Sequence, residues 1–451
     1  MSRGAKLALT ALVGLAALAG GVVWYLGPIA PIATGYAAKT VCSGHLVAER
    51  GVEDVLGDLP DNPLVPFLRV DADDPTAVTA TLLGAWGSTA YRTEGLGCTL
   101  ADERPAFTAL EPLPSPESGQ PWPQGSGPAQ ATSGISAAEM DAAINLAFVE
   151  NDPSGRARNT RAVVVIKDGR LVAERYAPGF GPDTPLTGWS MAKSVANAMV
   201  GRLVADGTMS TEADDLLPLW ADDDRRSITV EQLLTMTDGL AFEEVYDPDT
   251  DATRMLYRPG DAGGYAAQQP LEADPGTRWA YSSGTTNILC DVAQEAADAG
   301  PELARSLIFE PLGMSTAVME PDASGGLVCS SYLYATARDW ARFGQWFLQD
   351  GVWEGERLLP EGWVERSTTP VDLPTENPYG WQWWLNTGSD GERRMPSVPS
   401  DAYWASGNEG QQVVIVPSED LVVVRLGFSG GFSGIAWGLE PMLRDIIAAA
   451  R

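Results

Sequence analysis

Histidine is almost absent from this 451-residue chain; the one copy is His45. A lone imidazole excludes histidine-rich zinc sites, which need several ligands around one ion. It also leaves a Ser-His-Asp triad only if His45 is recruited from far upstream of every other stretch with catalytic character. No titratable cluster accompanies His45, which reads as structural. Lysine is scarce too, being confined to Lys6, Lys39, Lys167 and Lys193. Positive charge as a whole is short: 30 basic residues face 60 acidic ones, for a formal net charge of −30. Such a surface repels polyanions, so no nucleic-acid partner is expected. What the chain has in quantity is apolar material, at 44% with 15 tryptophans, enough for a substantial core.

Taken in order, Arg3 and Lys6 precede an apolar run from Leu7 to Leu26 that ends in Val22-Val23-Trp24-Tyr25-Leu26. About twenty such residues match the thickness of a bilayer as a helix, and a cleaved signal core is usually shorter. Residues 1–27 therefore read as one transmembrane anchor, or as a signal sequence if the chain is cut at Ala33-Thr34-Gly35 or Gly35-Tyr36-Ala37. The positive end stays inside. This places the protein as a single-pass bacterial inner-membrane protein with its catalytic domain in the periplasm. Residues 28–110 form a small segment without a catalytic pattern. It is expected to be a disulfide-bonded domain or a strap over the rest. Four cysteines allow three pairings. Cys42–Cys98 is the natural one inside this segment and Cys290–Cys329 the natural one further on, unless Cys290 is simply a buried thiol. Pro, Gly and Ser dominate residues 111–134, which read as a linker.

The remaining stretch, 135–451, begins with a capping box at Ser136-Ala137-Ala138-Glu139 and a helix to about Glu150. A hairpin follows around Asp168-Gly169. A long apolar helix then runs from Ser190 to Asp206, stopped by Gly207. Thr229 and Thr336 read as caps of later helices. Gln412–Val416, a Pro417–Asp420 turn and Leu421–Leu426 form a second hairpin before a terminal helix over 435–449. Strands at both ends with helices between them imply one α+β domain whose antiparallel sheet joins the two hairpins.

Three short stretches carry chemistry. In Ser190-Met191-Ala192-Lys193 a serine and a lysine three residues apart share a helix face, and Lys193 is the only lysine with a serine at that distance. A serine at the start of a helix lies where backbone N–H groups favour developing negative charge. The second stretch is Trp279-Ala280-Tyr281-Ser282-Ser283-Gly284, and the third is Gly407-Asn408-Glu409-Gly410-Gln411. Their order and spacing resemble the serine β-lactamase and penicillin-recognition superfamily, in particular its class C branch with esterases, D-aminopeptidases and 6-aminohexanoate-dimer hydrolase. Ile228 to Leu240, similar to the family's I-T-x-x-x-L-L-x-x-x-S-G-L, and Ala335 to Gly344 support the likeness, which covers 136–451.

The resemblance implies a β-lactamase-like fold with a mainly helical subdomain and no metal or organic cofactor. Ser190 would be the nucleophile that forms an acyl-enzyme. Lys193 and Tyr281 would share the proton transfers, with the first acceptor left open between them. The N–H groups of Ser190 and Gln411 would form the oxyanion hole, with Gly410 permitting close approach. Asn408, Gly410, Tyr246 and Ser324 are candidate substrate contacts. Two departures bear on substrate. Asn408 stands where many relatives carry Lys or His, and Ser283 stands where β-lactamases carry the Asn of Tyr-x-Asn. Both point away from penicillin-type carboxylate recognition. Tyr257 stands roughly where 6-aminohexanoate-dimer hydrolase has an acid for the substrate's amine, so an amine-terminated oligoamide is not specially favoured. Tyr379-Gly380-Trp381-Gln382-Trp383-Trp384 could wall a substrate cleft, though aromatic clusters are more often core. The expectation is a serine hydrolase acting on a small-molecule or peptide-like ester or amide. A D-Ala-type carboxypeptidase or weak β-lactamase is the alternative within the class, and a catalytically silent binding or sensor module is the alternative outside it.

Overall fold

The structure is a computed structural model and describes residues 3–59, 64–150, 155–375, 377–430 and 435–451. Helix α1 (Arg3–Leu26) is followed, after Gly27-Pro28, by α2 (Ala30–Cys42). Four strands then form an antiparallel meander: β1 (Leu68–Asp71), β2 (Ala77–Leu82), β3 (Trp86–Thr93) and β4 (Gly97–Leu100). Ala37, Val41, Val78, Ala80 and Ala90 fill the space between α2 and this sheet, and Cys42 is bonded to Cys98. Residues 28–110 thus have a small core of their own.

One expectation is corrected. Among the described residues no helix is long and apolar enough to cross a membrane. The transmembrane anchor, the inner-membrane partner and the single-pass placement with a periplasmic catalytic domain are therefore withdrawn. The run from Leu7 to Leu26 has the length of a span. Its last residue is committed elsewhere, since Leu26 is buried with Ala30 and Leu82 against the small sheet.

The main domain opens with α3 (Ala137–Phe148), capped by Ser136, whose side chain accepts the Glu139 N–H. Next come β5 (Thr160–Lys167) and β6 (Arg170–Tyr176), joined by Asp168 and Gly169. Both turn residues have positive φ, the geometry that matches strand twist in a two-residue hairpin. Helix α4 (Ala192–Ala205) follows, then α5 (Asp251–Tyr257), α6 (Ser283–Ala297) and α7 (Ala337–Leu348). The chain returns to the sheet through β7 (Trp384–Leu385), β8 (Tyr403–Gly407), β9 (Gln411–Val416) and β10 (Leu421–Gly427), and ends in α8 (Leu439–Ala449).

The large main-domain sheet has six strands in the order β7-β8-β9-β10-β5-β6, antiparallel throughout, so the first and last hairpins meet at β5–β10. Both faces are covered, which is why β9 and β10 are buried along their whole length and read as unbroken apolar runs rather than alternating ones. Val163, Val165, Val414 and Val423 pack under α3 and α8. Val164, Ile166, Val413 and Val422 point the other way, toward α4 and α7, where Val195, Met199, Trp340 and Phe343 meet them. Cys290 of α6 is bonded to Cys329. The stretch 111–134 holds no helix or strand, yet it is pinned: Trp122 is buried and donates its indole N–H to Arg338 O at 3.3 Å, and Arg342 reaches Pro123 O and Gly125 O.

Candidate active site

A tight turn, Trp189–Met191, leads into α4. Trp189 has φ of +46°, a backbone state that a bulky residue adopts only under strain. The turn is held from both sides. Gly188 N–H donates to Leu333 O at 2.7 Å, and any side chain at Gly188 would sit 2.4 Å from Trp340. Trp189 and Met191 are buried, whereas Ser190 is partly open to solvent. One helical turn on, Lys193 is 1% exposed. Its ammonium donates to Ser190 Oγ at 3.1 Å, Ser283 Oγ at 3.0 Å and Ser330 O at 3.1 Å, none of them charged. Burial pushes the amine down to about 8, with Glu244 pulling the other way.

Tyr281 precedes α6, whose first turn is capped by Ser282 and tied by Thr285 Oγ1 to Asp238 at 2.6 Å. The capping box Thr229–Gln232 orders the helix Val230–Leu234 just ahead of Asp238. The Lys193 ammonium lies 4.9 Å from the centre of the Tyr281 ring, which stacks on Trp384 at 5.2 Å and meets the edge of Tyr379 at 5.9 Å. Its hydroxyl contacts Ser190. Burial, with Glu244 adding to it, raises this phenol well above its ordinary value, while the Ser190 contact opposes. Tyr281 therefore holds its proton at neutral pH, which suits a donor better than a base.

The third element is the turn Asn408–Gly410 between β8 and β9. A Cβ on Gly407 would stand 2.1 Å from Gly188 O, so the end of β8 presses directly on the turn that carries Ser190. Gly410, at φ +83°, backs onto Arg425: a Cβ there would be 2.7 Å from the guanidinium and 2.9 Å from Trp437. Arg425 is fully buried on β10 and donates to the carbonyls of Glu409 at 3.0 Å and Gly410 at 2.9 Å. The Gln411 side chain bridges to Gly427, accepting its N–H at 2.9 Å. Glu409, at φ +59°, turns its carboxyl to the Trp189 indole N–H at 3.4 Å, and burial pushes that carboxyl up to about 7.

Ser190, Lys193 and Tyr281 thus come together, with the Gln411 turn pressed against them. The candidate substrate contacts divide. Tyr246 is half exposed and donates to Glu244 Oε1 at 3.1 Å, within the same cluster. Asn408 is exposed and its carbonyl accepts from Gln411 Nε2 at 3.2 Å. Gly410 is buried, and its close approach is to Arg425 behind the turn. Ser324 bonds to Asp322 at 2.6 Å, next to a loop glycine that abuts Asp291. Asp291 is two turns along α6 from Ser283, about 12 Å by helical rise, so Ser324 is not brought to the nucleophile. Tyr379, Trp381 and Trp383 are core, and only Trp384 stacks on a site residue. Tyr257 is buried edge-on against Tyr36 of α2 at 4.9 Å. His45 makes a local bond to Arg50 O at 2.7 Å.

Sequence reasoning missed Glu244. Its Oε2 accepts the Ser283 N–H and its Oε1 the Ser283 hydroxyl, both at 2.7 Å, across 39 residues of chain. It also missed Gln382, which receives the Ser194 hydroxyl at 2.7 Å and binds Thr286, Leu233 and Leu234 behind the nucleophile helix. Arg425 was missed as well, although it leaves a signal in the sequence: a cation inside an apolar strand needs carbonyl or carboxylate partners.

Comparison with known proteins bears on the family and the fold. The family model described as Beta-lactamase matches residues 147–427, well over half of the chain. A 6-aminohexanoate-dimer hydrolase from Paenarthrobacter ureafaciens is 28% identical over 292 residues, covering 59% of this chain and 72% of that protein. Among solved structures, a Bacillus anthracis protein described as a 6-aminohexanoate-dimer hydrolase superposes with a TM-score of 0.55 at 23% identity, over 65% of this chain and 79% of that one. A Bacteroides dorei protein described as a β-lactamase gives 0.56 at 20% identity, over 70% and 98%. These two likenesses are of fold. The chain belongs to the β-lactamase family, within the serine β-lactamase and penicillin-recognition superfamily.

Proposed function

We propose that the protein is a serine hydrolase that cleaves a small ester or amide through an acyl-enzyme on Ser190, with Lys193 as base and Tyr281 as proton donor. The observation that carries this is the Lys193 amine: it is buried, 3.1 Å from Ser190 Oγ, and held near 8 by desolvation, so a usable fraction is neutral around pH 7–8. Neutral Lys193 takes the Ser190 proton as Oγ attacks the carbonyl carbon. The N–H groups of Ser190 and Gln411 receive the oxyanion. Tyr281, protonated and in contact with Ser190, passes its proton to the departing oxygen or nitrogen and recovers one from Lys193. Water then reverses the sequence and frees the acid.

Asn408 offers an amide and no charge where a carboxylate-binding cation would help, which favours a neutral acyl group over a penicillin. The test is to treat the full chain with a fluorophosphonate and, separately, with a fluorescent penicillin, locating any adduct by mass spectrometry. Fluorophosphonate should mark Ser190, Ser190→Ala should abolish the mark, and penicillin should label slowly or not at all. Folded protein that takes no fluorophosphonate refutes the enzyme reading and favours a silent binding module. Rapid penicillin labelling with slow release favours the peptidase.

A further inference from the structure

A carboxylate, Glu244, stands behind the Lys193 amine. Lys193 Nζ donates to Ser283 Oγ at 3.0 Å, and Ser283 Oγ donates onward to Glu244 Oε1 at 2.7 Å. Glu244 Oε1 also accepts from the Tyr246 hydroxyl at 3.1 Å, and Oε2 accepts the Ser283 N–H at 2.7 Å. The carboxylate therefore takes three donors, none of them cationic. Three of its roughly four acceptor positions are thus taken by the protein. Ser283 is itself fully buried at the first residue of α6, so the relay runs through the interior.

We propose that Glu244, acting through Ser283, is the positioning residue of the site: it fixes Lys193 on Ser190 and supplies the counter-charge that the buried ammonium otherwise lacks. This rests on Lys193 being the base. A hydroxyl that gives its proton to Glu244 can offer Lys193 only a lone pair, so Ser283 anchors the amine as an acceptor beside Ser190. The groups facing Lys193 are Tyr281 ahead of α6, Ser283 on α6, Ser190 on the nucleophile turn, the Ser330 carbonyl, and Glu244 through Ser283. Those facing Glu244 are Ser283, Tyr246, Tyr281 and Tyr379. Glu244 is thus the only carboxylate in this set. Its charge favours the ammonium and so works against burial. Neutralising it lets the amine lose its proton at lower pH.

The experiment measures kcat and KM for p-nitrophenyl acetate from pH 5.5 to 10 in the full chain, for wild type, Glu244→Gln and Ser283→Ala, with circular dichroism to confirm folding. For Glu244→Gln the acid limb should move down by about one pH unit. Its plateau kcat should fall about tenfold as the anchor loosens, with KM little changed. Ser283→Ala should lose plateau rate while the limb stays closer to wild type, because the charge remains. A Glu244→Gln profile that superposes on wild type overturns the proposal. If Glu244→Gln does not fold, Ser283→Ala decides: a wild-type plateau there overturns it equally. Lys193→Ala separates this from the reading it rests on. If Lys193→Ala keeps the wild-type rate, the base assignment fails. If it is inactive while Glu244→Gln is unchanged, only the role of Glu244 fails.

Discussion

Burying the Lys193 amine costs the fold stability, and the proposed role as base draws on that cost. A buried ammonium with three neutral acceptors is solvated less well than in water, and the proton is correspondingly loose. The amine sits near 8 when folded and at an ordinary lysine value when unfolded, so the unfolded chain binds more protons between those limits. Stability from this group is therefore lowest below pH 8 and recovers as pH rises toward about 10.5. Lys193→Met should lose at least about a thousandfold in Ser190 acylation. It should also gain on wild type in thermal stability at pH 7, by up to about 3 kcal/mol, and that gap should close by pH 10. Thermal melts of both proteins at pH 7 and pH 10 check the sign. Ser190 and Lys193 were legible because they stand three residues apart where the turn Trp189–Met191 enters α4, a spacing that brings the two side chains together. Glu244 was not, since the 39 residues separating it from Ser283 follow no periodic pattern and only folding joins them.

Among the elements, the turn between β8 and β9 depends most on its support. One guanidinium nitrogen of Arg425, Nη1, donates to both carbonyls just before Gln411, and Gly410 leaves room for that guanidinium. Gly410→Ala places a methyl group 2.7 Å from Arg425 at a positive φ. It should cost about 2–4 kcal/mol of stability and lower kcat more than it raises KM, because the Gln411 N–H is displaced. Denaturant titration and steady-state kinetics on the same protein measure the two effects. The hairpins, the Thr229 and Thr336 caps and the sheet that joins both ends of the domain were readable, since each rests on local turn chemistry or a run of β-branched residues. The role of Gly410 was readable in kind but not in place: its freedom serves Arg425 behind the turn, and nothing in the local sequence says that a residue fifteen positions on returns to the same spot.

Over the whole molecule, residues 28–110 are built into the catalytic domain. Lys39 of α2 pairs with Glu320 in the interior, and Glu320 also accepts from Ser43 at 2.8 Å and from the Cys98 N–H at 2.7 Å. Glu320→Ala strands a buried ammonium and a buried N–H together. It should destabilise the protein by about 3–5 kcal/mol, whereas Lys39→Met with Glu320→Leu should cost much less; urea midpoints of the single and double variants test this. The two pairings offered as natural are the ones formed, while the seam was not legible, because Lys39 and Glu320 are 281 residues apart. The N-terminal run was misread for a related reason. Length and flanking charge suggest a span, while the packing of Leu26 on the small sheet is visible only in three dimensions.

The most direct measurement is the pH dependence of the rate at which a fluorophosphonate modifies Ser190, in wild type and in Lys193→Ala. Modification should be confined to Ser190, rise through a midpoint near pH 8, and collapse across the whole range in the variant. A rate that ignores pH between 6 and 10, or one that survives in Lys193→Ala, contradicts a lysine-activated serine.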